Sequence, residues 1–130
     1  MGDYYSSDNP LVLVAEDSAT VLAMVTARLE RSGYDVIAAR DGEAAVQLAR
    51  ERLPAVVILD VEMPVLNGLE VARRLRGDEA TRAIPIIMLT GNDGAADIEA
   101  GLAAGAAEYV TKPFSPQDLM VSVERILGRR

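Results

Sequence analysis

Residues 55–60 read AVVILD, a short apolar run that ends in an aspartate. The run is rich in Val and Ile and has no polar residue alternating through it. That pattern fits a strand covered on both faces, as in a parallel sheet, better than a half-exposed one. A parallel strand needs neighbours running the same way and crossover segments to join them. Working outward, runs of the same kind recur: LVLVA at Leu11 to Ala15, YDVIAA from Tyr34, IPIIML at Ile84 to Leu89 and EYV at Glu108 to Val110. With Ala55 to Leu59 as the third, five strands are implied.

The spacers supply the crossovers. Ser18 can cap a helix that carries Val21, Leu22, Val25 and Leu29 on one face and stops at Gly33. Asp41 opens a second helix with Ala45, Leu48 and Ala49 inward. The third starts near Asn67 and is expected to bury Leu69, Ala72 and Leu75; the fourth starts around Asn92 or Asp93 and is expected to bury Ile98 and Leu102. The last is the best marked, because Ser115-Pro116-Gln117-Asp118 combines a capping serine, a proline at the first helical position and an acid three residues on. Leu119, Val123, Ile126 and Leu127 form its expected buried face.

The order is β-α repeated five times, which predicts a single doubly wound α/β domain. Right-handed crossovers leave few topologies, and the flavodoxin-like strand order 2-1-3-4-5 is the natural one for five strands. The opening MGDYYSSDN lacks periodicity and ends at Pro10, so residues 1–10 are expected to be a flexible leader and residues 11–130 the domain.

Composition narrows the chemistry. Half of the 130 residues are apolar and a quarter charged, as in an ordinary globular domain with one core. With no cysteine there are no disulfides, thiol nucleophiles or thiolate zinc sites, and with no histidine there is no serine-histidine catalysis or phosphohistidine carrier. A net charge of −7 opposes direct binding to nucleic acid or anionic lipid. No apolar run approaches the roughly 20 residues that span a bilayer, and the polar start is unlike a signal peptide, so a cytoplasmic protein is expected.

Ligands of open parallel sheets sit beyond the carboxyl ends of the strands. The first expected strand runs into Glu16-Asp17, the third into Asp60, the fourth into Thr90 and the fifth into Thr111-Lys112. Three acids, a hydroxyl and an ammonium therefore converge on one edge. Three carboxylates so close raise one another's pKa unless a cation joins them. Few oxygen ligands, left incomplete by the protein, suit Mg²⁺, with Asp17 and Asp60 as direct ligands. An isolated acid after a strand is usually a helix cap; Lys112 makes the cluster more than that. It is the sole lysine, and the other twelve basic residues are all arginine. A compact ammonium there can contact a phosphoryl oxygen and pair with a carboxylate, where a planar guanidinium would need more room. Pro113 stiffens the backbone that aims it, and a cis Lys112-Pro113 bond is compatible with the sequence.

These residues carry a resemblance that runs from Leu11 to about Leu127. AED at Ala15 to Asp17, LDVEMPVLNG at Leu59 to Gly68, MLTG at Met88 to Gly91 and GAAEYVTKPF at Gly105 to Phe114 together resemble a CheY-like response-regulator receiver domain of two-component systems. The resemblance implies that Asp60 takes a phosphoryl group from a partner histidine kinase or histidine phosphotransfer protein. It implies Mg²⁺ held by Asp17, Asp60 and the backbone carbonyl of Glu62, with Glu16 acting through a bound water. Thr90 and Lys112 would contact the phosphoryl oxygens, and Tyr109 would swing inward with Thr90 to switch the face of helix 4, strand 5 and helix 5 toward a downstream protein target or effector domain. Such a protein is no enzyme in the ordinary sense; it catalyses only its own phosphorylation and dephosphorylation.

Two departures stand out. Gly91 follows Thr90 where the family commonly has alanine, and Glu62 adds an acid near the attack path. The expected output face is acidic, with Asp93, Asp97, Glu99 and Glu108 against Lys112 and Arg125, which disfavours a reciprocally salt-bridged dimer. Two rival functions are weighed. A haloacid-dehalogenase-like phosphatase also pairs a nucleophilic aspartate with an acid two residues on, as in Asp60-Val61-Glu62. That family normally carries the motif on its first strand, followed by a small hydroxyl residue, whereas here it ends the third and meets Met63-Pro64. A receiver-like scaffold that is never phosphorylated would be expected to lack an acid, Thr90 or Lys112, and none is missing.

Overall fold

The computed structural model describes residues 9–91 and 95–128, apart from the side chains of residues 95–98. Strands β1 (Leu11–Ala15), β2 (Asp35–Ala39), β3 (Val56–Asp60), β4 (Ile86–Thr90) and β5 (Glu108–Thr111) form one sheet in the order β2-β1-β3-β4-β5, with every pairing parallel. Helices α1 (Ala19–Arg31), α2 (Gly42–Arg52), α3 (Gly68–Arg76), α4 (Ala95–Ala103) and α5 (Pro116–Leu127) follow the strands in turn. The fold is the flavodoxin-like arrangement expected from the sequence.

Successive residues of a strand point to opposite faces, and the two-sided core follows that alternation. Leu13, Val57, Leu59, Ile86 and Met88 meet α2 and α3 through Ala45, Ala49, Val71, Ala72 and Leu75. Val12, Val14, Ile58, Ile87 and Leu89 meet α1 and α5 through Val25, Leu29, Leu119, Met120 and Val123. Every residue of β3 and β4 is buried, which is why their sequences lack polar alternation. Edge strand β2 is only partly covered.

Helices α1, α2, α3 and α5 each have a capping side chain at the carboxyl edge of the sheet. Ser18 accepts from Val21 N–H, Asp41 from Ala44 N–H and Asn67 from Glu70 N–H. Ser115 and Asp118 form the reciprocal capping box that the sequence implied. The far ends of α1, α2, α3 and α5 carry arginines in their last turns, where the helix carboxyl terminus favours cations. At that far edge Arg76 clamps three segments together, donating to the Gly105 carbonyl at 2.9 and 3.2 Å and to the Arg82 carbonyl at 2.7 Å.

Two expectations need correction. Strand β4 starts at Ile86, not Ile84, because Pro85 has no N–H to give; its carbonyl accepts from Val57 N–H at 3.0 Å. Leu102, expected to be buried, is 47% exposed. Gly101 and Ala104 take the inward stripe of α4's last turns instead, and a residue one step from Gly101 on a 3.6-residue helix points about 100° away. The start of this helix at Asn92 or Asp93 and the side chain of Ile98 lie outside the described residues, as does most of the expected leader. Of the leader, Pro10 is tied to β2, its carbonyl accepting from Asp35 N–H at 3.0 Å. Among the described residues no helix is long and apolar enough to cross a membrane.

Candidate functional site

Strand β3 lies mid-sheet and its last residue, Asp60, is 2% exposed. Asp60 Oδ1 accepts from Glu62 N–H at 3.2 Å and lies 3.2 Å from Lys112 Nζ. Glu16, just past β1 and 1% exposed, accepts from Ser18 N–H through Oε2 at 3.1 Å. Its Oε1 faces Lys112 Nζ at 3.5 Å but accepts no hydrogen bond. Asp17, the next residue, is exposed, yet one oxygen of each of Glu16, Asp17 and Asp60 falls within 4.8 Å of the others. Thr90 is buried at the end of β4, and Lys112 N–H donates to its carbonyl at 2.7 Å. The structure thus gathers Glu16, Asp17, Asp60 and Lys112, with Thr90 tied to them through the backbone.

Electrostatics decide what this cluster can hold. Like charges 4.8 Å apart repel by roughly 3–4 kcal/mol at an effective dielectric of about 20. Burial pushes the Glu16 carboxyl above the usual glutamate range, and Asp60 pushes it the same way; the Ser18 N–H and Lys112 pull it back. Burial works against the Lys112 ammonium, but Asp60 and Glu16 outweigh it, so the lysine pKa lies above its ordinary value. One ammonium leaves two of three carboxylate charges unmatched, which a divalent cation would balance. The unsatisfied Glu16 Oε1 and the all-oxygen donor set fit Mg²⁺.

The loop after Asp60 is tightly braced. Leu66 N–H donates to the Pro64 carbonyl at 2.7 Å around Val65, whose φ of +71° is rare for a β-branched residue, so the chain makes a strained three-residue turn. Gly68 closes the loop from behind: a Cβ there would lie 2.5 Å from the Asp60 carbonyl oxygen. The Lys112-Pro113 peptide is cis. Glu62 is exposed and reaches Asp60 through its backbone amide. Tyr109 stands apart from the acids, 37% exposed on β5 opposite Met88. On the same strand Glu108 is held below the usual carboxylate range chiefly by hydrogen bonds from Arg125, at 2.8 Å to each oxygen. That contribution is present above the ordinary glutamate pKa and is lost as pH falls through the lowered one.

At Gly91 an added Cβ would meet none of the described residues within 4 Å. Gly91→Ala is therefore expected to fold normally and to gain about 0.4–1 kcal/mol through the unfolded state, read as a higher urea midpoint at unchanged slope.

Sequence reasoning assigned nothing to Arg40, yet its guanidinium donates to the Asp17 carbonyl at 2.8 Å. The signal was available, since Arg40 follows β2 at the same edge as the other strand-end residues. A groove of about 220 Å³ lined by Val21, Met24, Lys112, Pro113 and Phe114 opens beside the cluster. The larger cavity, about 560 Å³, lies between α2 and α3 and contains none of these residues.

A flavodoxin-like sheet with acids and one lysine at its carboxyl edge defines the receiver class of two-component signalling proteins. Residues 12–124 match the response regulator receiver domain family, and the chain belongs to it. Among its relatives, the alkaline phosphatase synthesis transcriptional regulatory protein PhoP of Bacillus subtilis is 43% identical over 121 residues, covering 93% of this chain and 50% of that protein. The chain spans about half the length of the first curated relatives it matches. Chemotaxis response regulator CheY4 of Vibrio cholerae superposes with a TM-score of 0.87 at 34% identity, covering 91% of this chain and 98% of that one. The receiver domain of sensor histidine kinase PA1611 from Pseudomonas aeruginosa gives 0.86 at 33% identity, over 92% of this chain and 98% of that one, and holds a magnesium ion in its active site cleft. The family match sets aside the haloacid-dehalogenase-like alternative.

Proposed function

We propose that Asp60 is the phosphoacceptor of a Mg²⁺-dependent reaction with a partner histidine kinase or histidine phosphotransfer protein. The observation that carries this is a buried carboxylate at the end of the central strand, 3.2 Å from the only lysine and grouped with two further acids. An Asp60 oxygen attacks phosphorus, the oxygen–phosphorus bond forms as the nitrogen–phosphorus bond breaks, and the electron pair leaves with the partner's imidazole, which takes up a proton. Asp17, Asp60 and the Glu62 carbonyl would hold the ion, with Glu16 acting through a bound water. Bound there, Mg²⁺ supplies charge that neutralises phosphoryl oxygens.

Lys112 exchanges part of its pairing with Asp60 and Glu16 for a phosphoryl oxygen, and Thr90 contacts another. Drawing Thr90 toward the site leaves room for Tyr109 to turn inward and alter the α4-β5-α5 face, which passes the signal to a downstream protein target or effector domain. The chain catalyses only its own phosphorylation and dephosphorylation. Acetyl phosphate with Mg²⁺ followed by intact mass tests the proposal. One acid-stable, hydroxylamine-labile phosphoryl group is expected, whereas a scaffold would gain none. Asp17→Asn is expected to weaken Mg²⁺ binding by about tenfold or more, measured by titration calorimetry; unchanged affinity would remove Asp17 from the ligand set.

A further inference from the structure

Ten arginines stand among the described residues, and their placement is uneven. Eight occupy the last turns of α1, α2, α3 and α5, and Arg82 lies in the turn that leads into β4, all at the edge opposite the acids. Arg40 alone among them stands at the carboxyl edge, one residue past β2. The β1–β2 ladder extends to this point, with Glu16 N–H donating to the Ala39 carbonyl at 3.0 Å. Beyond it the Arg40 guanidinium crosses to the Asp17 backbone carbonyl at 2.8 Å, and it forms no ion pair with a described acid.

That choice of partner matters. A cation kept only to offset acidic charge would pair with a carboxylate; this one grips a peptide oxygen. Asp17 is the exposed member of the cluster, and the turn bearing it is held on one side by the Ser18 N–H bond to Glu16. Pinning the Asp17 carbonyl restricts rotation of the Asp17-Ser18 peptide and hence the direction from which the Asp17 side chain leaves the backbone. The next residues of the same segment brace the other acid-bearing loop: Asp41 caps α2, and Gly42 N–H approaches the Pro64 carbonyl at 3.5 Å. Residues 40–42 therefore touch both loops between which an ion would sit.

We propose that Arg40 is a positioning residue, fixing the β1–α1 turn so that Asp17 is pre-aimed at the ion site shared with Asp60. The inference rests on the Mg²⁺ site proposed above. Its test turns on sign. If Arg40 acted only as a nearby positive charge, removing it would tighten Mg²⁺ binding; if it orients Asp17, removing it weakens binding despite the lost repulsion. At about 0.15 M salt, where exposed charges are screened, Arg40→Met is expected to bind Mg²⁺ about threefold to tenfold more weakly by calorimetry. Arg40→Lys, which keeps a donor and the charge on a shorter reach, recovers part of the loss. The urea midpoint of both variants in EDTA should match that of the unaltered chain, as befits an exposed side chain. Equal or tighter binding by Arg40→Met overturns the positioning role. Absence of Mg²⁺ binding by the unaltered chain overturns the ion site itself, a result distinguishable from the first.

Discussion

Asp60→Asn, incubated with acetyl phosphate and Mg²⁺, is expected to gain no phosphoryl group under conditions that label the unaltered chain fully. An amide oxygen is a poor nucleophile, and the loss should be complete because no other acid among the described residues combines burial at the central strand with direct contact to Lys112 Nζ at 3.2 Å and to the Glu62 N–H. The variant should nonetheless fold. Asparagine keeps an oxygen for the Glu62 N–H, Lys112 retains Glu16 at 3.5 Å, and removing one of three crowded negative charges relieves repulsion. The unfolding free energy in EDTA should thus be unchanged or higher. Normal labelling of a folded Asp60→Asn protein would place the nucleophile elsewhere.

Gly42→Ala is expected to be the most damaging single-methyl change near the site, costing about 2–3 kcal/mol in urea unfolding. Gly42 opens α2, and alanine has the higher helix propensity, so propensity alone predicts at most a small gain. Packing reverses the sign: a Cβ at Gly42 would lie 1.9 Å from the Leu66 carbonyl oxygen and 2.6 Å from Leu66 Cβ. Backbone, not the end of a flexible side chain, would have to move. Because Leu66 belongs to the loop whose Glu62 amide holds Asp60, phosphoryl uptake should slow as well. Gly91→Ala, where an added Cβ meets none of the described residues, is the matched control. A Gly42→Ala protein as stable as the parent would mean that α2 and this loop do not meet as described.

The two glycines illustrate where sequence reading ends. Both follow elements whose existence was plain from periodicity, but only one faces another backbone, and nothing within either segment distinguishes them. Leu102 failed for the same reason. Leu102 falls at helical spacing, yet Gly101 and Ala104 beside it face inward, because small residues let the helix approach closely. Val65 gave no warning that it would be held at φ +71°.

Local chemistry was enough to establish the order of elements, the parallel sheet, the starts of α1, α2, α3 and α5, and the acids and lysine that end the strands. Those depend on periods of two and 3.6 residues, on caps acting within four residues, and on the rule that strand ends share an edge. Tertiary structure alone decided that Glu16 is buried with a raised pKa while its neighbour Asp17 faces solvent, and that Arg40 reaches across to hold the Asp17 carbonyl. Adjacent carboxylates of like chemistry diverge because Glu16 still sits on the β1–β2 ladder, its N–H bonded to the Ala39 carbonyl, whereas Asp17 lies in the bend beyond it. Which of the two is covered, and by what, is set by segments distant in the chain.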